Sequence, residues 1–151
     1  PRYLQTGYFK PKSSVSTISN AMDVGNPSNF SRMLELYDND VAKMRDDIHG
    51  ASFSDVATRE AISSVFNRYR YIMDPHGAVA YLGLIDFMKS FKKYAGVFLE
   101  TAHPAKFFEE VEKVVGVSVS MPDRLESYFK REKRATLLNN DFSELKSFLL
   151  Q

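Results

Sequence analysis

Residues Thr101, Ala102 and His103 follow the most apolar stretch of the chain and are the first candidates for binding a ligand. That stretch, residues 96–99 (Gly-Val-Phe-Leu), has the pattern of a strand covered on both faces, as in a parallel sheet. In open α/β sheets, ligands bind beyond the carboxyl ends of strands, where the next helix presents free amides. Residues 101–103 are therefore a candidate ligand site, but from the spacing alone the better interpretation is an ordinary connection in which Thr101 caps the next helix.

Ser19, Asn20 and Asp23 form a second candidate, a polar loop ahead of a helix that is expected to start at Asn26-Pro27. Short polar side chains before a helix start are suited to binding an anion or an amino acid. The alternative is a turn in which Asn and Asp bind their own backbone. From the pattern alone, the turn is the better interpretation.

Two further features surround the helix start at Asp74-Pro75. His76 lies in the first turn, where the helix dipole disfavours its charged form, so a structural role is the simpler interpretation. The small residues of this helix predict that something packs closely against its first turns: Gly77, Ala78, Ala80 and Gly83. The histidines and acids lack the spacing of a metal site, and no Ser-His-Asp triad is indicated.

The composition excludes several classes of protein. The 151 residues include no cysteine, which excludes a disulfide scaffold, a thiolate metal site and a cysteine nucleophile. Lys and Arg number 20 and Asp and Glu 19, so no net field favours nucleic acid or anionic lipid. The basic run at residues 130–134 is read as a solvated helix face. Apolar runs are too short for a membrane span, and a cytoplasmic location is expected.

The periodicity predicts about six helices but only two strands, near Val15–Ile18 and at residues 96–99. A buried strand needs neighbours, because unpaired backbone groups inside a protein are costly. The expected fold class is therefore α/β with an incomplete sheet. The chain also begins with Pro1 rather than methionine, which predicts that it is part of a longer protein.

Three motifs occur in order: Ser-Asn-Ala-Met-Asp at 19–23 leading to Asn-Pro-Ser-Asn-Phe at 26–30, Asp-Pro-His-Gly-Ala-Val-Ala at 74–80, and Thr-Ala-His-Pro-Ala-Lys-Phe at 101–107. Together they resemble the C-terminal part of the threonine synthase family, fold type II pyridoxal-phosphate enzymes. The resemblance covers nearly the whole chain. It implies that residues 1–151 are the helix-rich C-terminal portion of the catalytic domain, without an internal boundary.

The resemblance also implies roles for individual residues. Thr101 matches the hydroxyl that bonds the pyridine nitrogen of pyridoxal 5'-phosphate; a neutral threonine can donate to an unprotonated nitrogen. Ser19, Asn20 and Asp23 match the loop on the substrate side of the cofactor. His76 and His103 are expected only to support the pocket wall.

Two family motifs are missing from residues 1–151. The Schiff-base lysine belongs to a Phe-Lys-Asp motif, and the cofactor phosphate binds a Ser-Gly-Asn-Phe-Gly type loop. Residues 91–93 (Phe-Lys-Lys) lack the aspartate, and Lys106 lies in a different motif. No catalytic residue is therefore assigned to this chain.

The resemblance implies that the intact protein converts O-phospho-L-homoserine and water to L-threonine and phosphate, in threonine biosynthesis. The chain alone is expected to be inactive, to bind the cofactor poorly, and to self-associate through apolar surface. Two alternatives remain: a catalytically dead, α-rich interaction module, or another fold type II lyase acting on a different amino acid.

Overall fold

The structure, a computed structural model, describes residues 1–20, 23–90 and 95–150. Within them lie eight α-helices and a four-residue 3-10 turn, Pro104–Phe107. The predicted helix position Phe91 and the Ala21-Met22 pair lie outside the described residues. The helices are α1 (Arg2–Thr6), α2 (Phe30–Leu36), α3 (Val41–Asp47), α4 (Asp55–Tyr69), α5 (Pro75–Met88), α6 (Phe108–Val115), α7 (Asp123–Phe129) and α8 (Phe142–Leu149).

The chain divides into two compact units, residues 1–120 and residues 121–151. The second unit contains α7 and α8, and Lys130 at the end of α7 pairs with Glu126 at 2.8 Å. The basic run at residues 130–134 is exposed, but it follows α7 instead of forming a helix face, so that expectation is wrong. Whether residues 1–151 form one region of a larger catalytic domain stays a prediction.

Most predicted helix ends are confirmed by their capping bonds. The side chains of Ser54, Asp74 and Asp141 accept backbone N–H bonds at the starts of α4, α5 and α8. Gly116 ends α6 at φ 71°, a left-handed conformation that glycine adopts without strain. Asn26 is not a cap, because α2 starts only at Phe30.

The core of the first unit lies where α4 packs against α5 and α6. Its buried side chains are Ala61, Ile62, Val65, Met73 and Ala78. Apolar residues of α4 repeat at helical spacing, so a single face enters this core. None of the described helices is long and apolar enough to cross a bilayer.

Neither predicted strand forms in the described residues. The expected α/β fold with an incomplete sheet is therefore wrong, and the described chain is all-helical. Residues 96–99 were expected to be covered on both faces. Instead, Val97 is 84% exposed and Leu99 is 72% exposed, whereas Phe98 packs on the core. One face of the segment has a covering element and the other has none among the described residues. Without a neighbouring strand, the backbone has no ladder to join.

The covered face of the segment lies along α5 and runs in the opposite direction. A Cβ on Gly96 would meet Leu84 and Met88, near the end of α5. The ring of Phe98 lies 5.6 Å from that of Tyr81, one turn nearer the start. The carboxyl group of Glu100 occupies the space that a Cβ on Gly77 would need, in the first turn. Alternate residues thus contact the helix, as in an extended chain.

The contacts of α5 confirm part of the close packing that was expected against its small residues. The small residue Gly77 is needed because the carboxyl of Glu100 packs against the first turn of α5. Gly83, two turns later, has no atom within 4 Å of the position where its Cβ would lie. Close packing therefore explains Gly77 but not Gly83.

We predict that Gly77→Ala and Gly83→Ala change stability in opposite directions. In Gly77→Ala the new methyl displaces Glu100, and overpacking of this kind costs about 1–3 kcal/mol. In Gly83→Ala the methyl has room, and replacing a helical glycine by alanine gains about 0.5–1 kcal/mol. Urea unfolding of the two variants measures both changes. Equal effects of the same sign would contradict the packing described for Gly77.

Candidate functional site

Two carboxyl groups meet at the start of α5. Asp74, which caps the helix, is 0% exposed, and Glu100 reaches it from the segment that crosses the first turn. Asp74 Oδ2 and both carboxylate oxygens of Glu100 are buried, and the groups that act on Glu100 are the carboxyl and the backbone N–H of Asp74. Two carboxylates so placed repel each other when both are ionised, so one of the two pKa values is raised and the pair favours holding one proton.

The surroundings decide which carboxyl keeps the proton. Asp74 Oδ1 accepts the backbone N–H and the ring Nδ1 of His76, each at 2.8 Å, and it faces the positive end of the α5 dipole. Burial raises the pKa of Asp74, but the hydrogen bonds of Glu100 and His76 outweigh it and leave the pKa lowered. Burial and the adjacent Asp74 raise the pKa of Glu100 to about 8. Glu100 is therefore the protonated member at neutral pH.

His76 is fixed by this pair and by one aromatic ring. Because ionised Asp74 can only accept, Nδ1 of His76 carries the proton and Nε2 is left as the second polar atom. The imidazole lies edge-on to Phe107 of the 3-10 turn, with ring centroids 5.0 Å apart. The expected structural role of His76 agrees with these contacts. Its role as a pocket wall stays a prediction.

Thr101 and His103 lie beyond Glu100, between the segment and the 3-10 turn. His103 Nδ1 accepts the N–H of Ala105 at 3.1 Å and so caps the turn. The alternative in which Thr101 is the cap is therefore wrong. Thr101 is exposed and forms no side-chain hydrogen bond with the described residues. The hydroxyl of Thr101 is available to a ligand. Because Nδ1 of His103 accepts a hydrogen bond, Nε2 is the ring nitrogen that is left to donate.

The loop with Ser19 and Asp23 uses its polar groups internally. Asp23 accepts from the backbone N–H and the hydroxyl of Thr17, both at 2.7 Å. The Thr17 hydroxyl oxygen accepts the N–H of Ser19 at 3.1 Å, and Asp23 N–H donates to the carbonyl of Asn20. These bonds are those of the turn interpretation. Asp23 also borders a cavity of about 510 Å³, whose described lining does not include Ser19 or Asn20.

The structure thus brings together only part of the predicted site. A continuous set of contacts leads from Thr101 through Glu100, Asp74 and His76 to Phe107, next to which His103 caps the turn. No described hydrogen bond or ring contact joins the loop of Ser19, Asn20 and Asp23 to this group. Among the described residues, no group of three or more metal-ligating side chains could hold a metal ion.

Sequence reasoning missed Glu100 and assigned Asp74 only a capping role. A charged residue between an apolar run and a polar turn looks like a strand end that reaches water. The available signal was Gly77, because a glycine in a first helical turn indicates that another group lies against it.

The chain is similar to one family of known proteins. Residues 78–149 match the family "Threonine synthase, C-terminal". Over its full length the chain is 37% identical to the threonine synthase of Haemophilus influenzae, of which it covers 35%. It is 40% identical to that of Buchnera aphidicola subsp. Schizaphis graminum and covers 34% of it. The chain therefore spans about a third of the length of these curated relatives.

Two solved structures agree with this placement. The crystal structure of the Escherichia coli threonine synthase matches 99% of the chain with a TM-score of 0.85 and 33% identity, over 34% of that enzyme. The PLP-bound threonine synthase from Brucella melitensis matches 98% of the chain with a TM-score of 0.62 and 26% identity. From its first residues to its last helix, the chain is homologous to the C-terminal third of the threonine synthases.

Proposed function

We propose that this chain forms one wall of the active site of a threonine synthase, whose intact form converts O-phospho-L-homoserine and water to L-threonine and phosphate. The observation that carries the proposal is that Thr101 is exposed and its hydroxyl has no described partner. Thr101 directly follows Glu100, which makes a buried contact with α5. The chain that places it is 37% identical, from end to end, to a threonine synthase.

The donor chemistry of Thr101 fits the ring nitrogen of pyridoxal phosphate. A hydroxyl donates one hydrogen bond and carries no charge, so it stabilises an unprotonated pyridine nitrogen and not a pyridinium ion. When bound, the cofactor supplies an electron sink for carbanions formed on the substrate. Thr101 Oγ1 would hold its proton toward the ring nitrogen and orient the ring.

The remaining predicted residues are assigned to support. His103 presents Nε2–H beside Thr101, and His76 is held by Asp74 against Phe107, so both are suited to line a pocket. Ser19 and Asn20 are proposed to face the substrate from a loop that Asp23 fixes through Thr17. The Schiff-base lysine and the phosphate-binding loop are assigned to the rest of the full-length protein, since residues 1–151 contain neither motif.

We expect the full-length gene product that contains this chain to release phosphate from O-phosphohomoserine. Thr101→Val removes the donor without changing the size of the side chain, and should lower kcat on the order of a hundred-fold. Thr101→Ser keeps the hydroxyl and is the matched control. The 151-residue chain alone should release no phosphate. The measurement is phosphate release by purified protein supplied with pyridoxal phosphate.

Each failure of this assay has a distinct meaning. A full-length protein that binds no cofactor and releases no phosphate would fit the non-catalytic interaction module. Release of a product only from another amino acid would fit a different fold type II lyase. Equal rates for Thr101→Val and the unchanged protein would remove Thr101 from the site.

The exposed face of residues 97–99 is proposed to make the isolated chain self-associate. Val97 lines a groove of about 410 Å³ that is also bordered by α5, including Leu84, and by residues 47–51. Leu99 is exposed two residues further along the segment. Contiguous exposed apolar surface of this kind favours a partner, and in a solution of the isolated chain that partner is a second copy.

Light scattering of the isolated chain tests whether it self-associates through Val97 and Leu99. The unchanged chain should have a mass above 17.2 kDa, and the double variant Val97→Lys with Leu99→Lys should return to that value. Val56→Lys, at an exposed site on α4, is the control and should still associate. A monodisperse monomer at high concentration would contradict the proposal.

A further inference from the structure

We propose that Glu100 is a positioning residue for Thr101: its carboxylic acid, held against Gly77 by a hydrogen bond to Asp74, fixes the end of the segment on the first turn of α5. The functional consequence of this positioning rests on the proposed function, because the position of Thr101 affects catalysis only if its hydroxyl bonds the cofactor. The contacts from which it follows all lie within this chain.

Glu100 and Thr101 are connected directly through the backbone. Thr101 is exposed and forms no described side-chain bond, so nothing on its own side chain holds it in place. Its neighbour Glu100 has both carboxylate oxygens buried against α5. Adjacent residues share a planar peptide unit, so an anchor at Glu100 limits where the Thr101 backbone can lie.

The arrangement has an energetic cost. Beyond the backbone N–H of Asp74, no described donor reaches the buried carboxyl of Glu100, which is unfavourable unless the carboxyl gives its own proton to an acceptor. Asp74 supplies that acceptor, because its Oδ1 is occupied by His76 and its Oδ2 is not used by any described donor. An apolar side chain at position 100 would cover the same helix turn but would leave Asp74 Oδ2 unsatisfied.

The described titratable groups that face this proton come from the start of α5 and from the loop before it. From α5 come Asp74 and His76, and Tyr71 lies close enough that burial and then the charges of Glu100 and Asp74 raise its pKa. His76 is an imidazole in direct contact with the pair, and its Nδ1 already donates to Asp74. No described cation contacts the pair, so loss of the proton leaves two carboxylates in contact. Their repulsion would push Glu100 off the helix and move Thr101 with it.

The side chain of glutamine offers a sharp test. The amide of Glu100→Gln donates to Asp74 as the acid does, but it cannot lose its proton, whereas Glu100→Ala removes the anchor. NMR of the labelled 151-residue chain then reads the Thr101 amide and methyl resonances as a function of pH. Glu109→Ala, at an exposed position on α6, is the matched control.

In the unchanged chain, the Thr101 resonances should shift as pH passes about 8, the pKa of Glu100. Glu100→Gln should keep the low-pH position and have no step, and Glu100→Ala should be displaced at every pH. If Glu100→Ala fails to fold, the comparison of the pH-dependent step between the unchanged chain and Glu100→Gln still tests the inference. A Thr101 signal that ignores pH in the unchanged chain, or an identical step in Glu100→Gln, would overturn the inference.

A second readout links the anchor to activity. In the full-length protein, Glu100→Ala should lower kcat on the order of ten- to a hundred-fold when Thr101 is present, the size expected for a displaced group. In the Thr101→Val background it should have little further effect, because its action passes through Thr101. Equal losses in both backgrounds would indicate a merely structural role. Absence of phosphate release with a clear NMR step would overturn the proposed function and leave the positioning of Thr101 intact.

Discussion

Two carboxyl groups that share one proton over Gly77 hold the end of the 96–100 segment on α5. Asp74 can remain charged because the helix amides and His76 stabilise it, and Glu100 can remain buried because Asp74 accepts its proton. Thr101 follows this contact directly; it is exposed and lies two residues before the cap at His103. The position of the candidate cofactor residue therefore depends on a buried acid.

The proton also gives this contact a pH dependence with a definite sign. The pKa of Glu100 is raised in the folded chain, so its contribution to stability is complete below its ordinary value and is lost as pH rises toward about 8. The pKa of Asp74 is lowered, so its contribution is present above its ordinary value and is lost as pH falls below it. The pair is most favourable where Asp74 is charged and Glu100 is not.

Local sequence signals predicted the helix ends well, because capping depends on a few adjacent residues. Ser54, Asp74 and Asp141 form the expected bonds, and Gly116 adopts the expected conformation. The strand predicted at residues 96–99 did not depend on adjacent residues alone. An apolar run indicates that a segment is buried, but it does not show whether neighbouring strands are present to pair with it. Thr101 was a candidate from its place after the apolar run, and the family motif gave it a role, whereas the contact of Glu100 with α5 became visible only in the structure.

The central claim is that Glu100 carries a proton at neutral pH in the folded chain, and its own carboxyl carbon reports this most directly. A ¹³C NMR titration of the Glu100 side chain in the 151-residue protein should have its midpoint well above the ordinary value for glutamate, at about 8. A midpoint near 4.5, the value of an unperturbed glutamate, would mean that the carboxyl lies in water and would contradict the account.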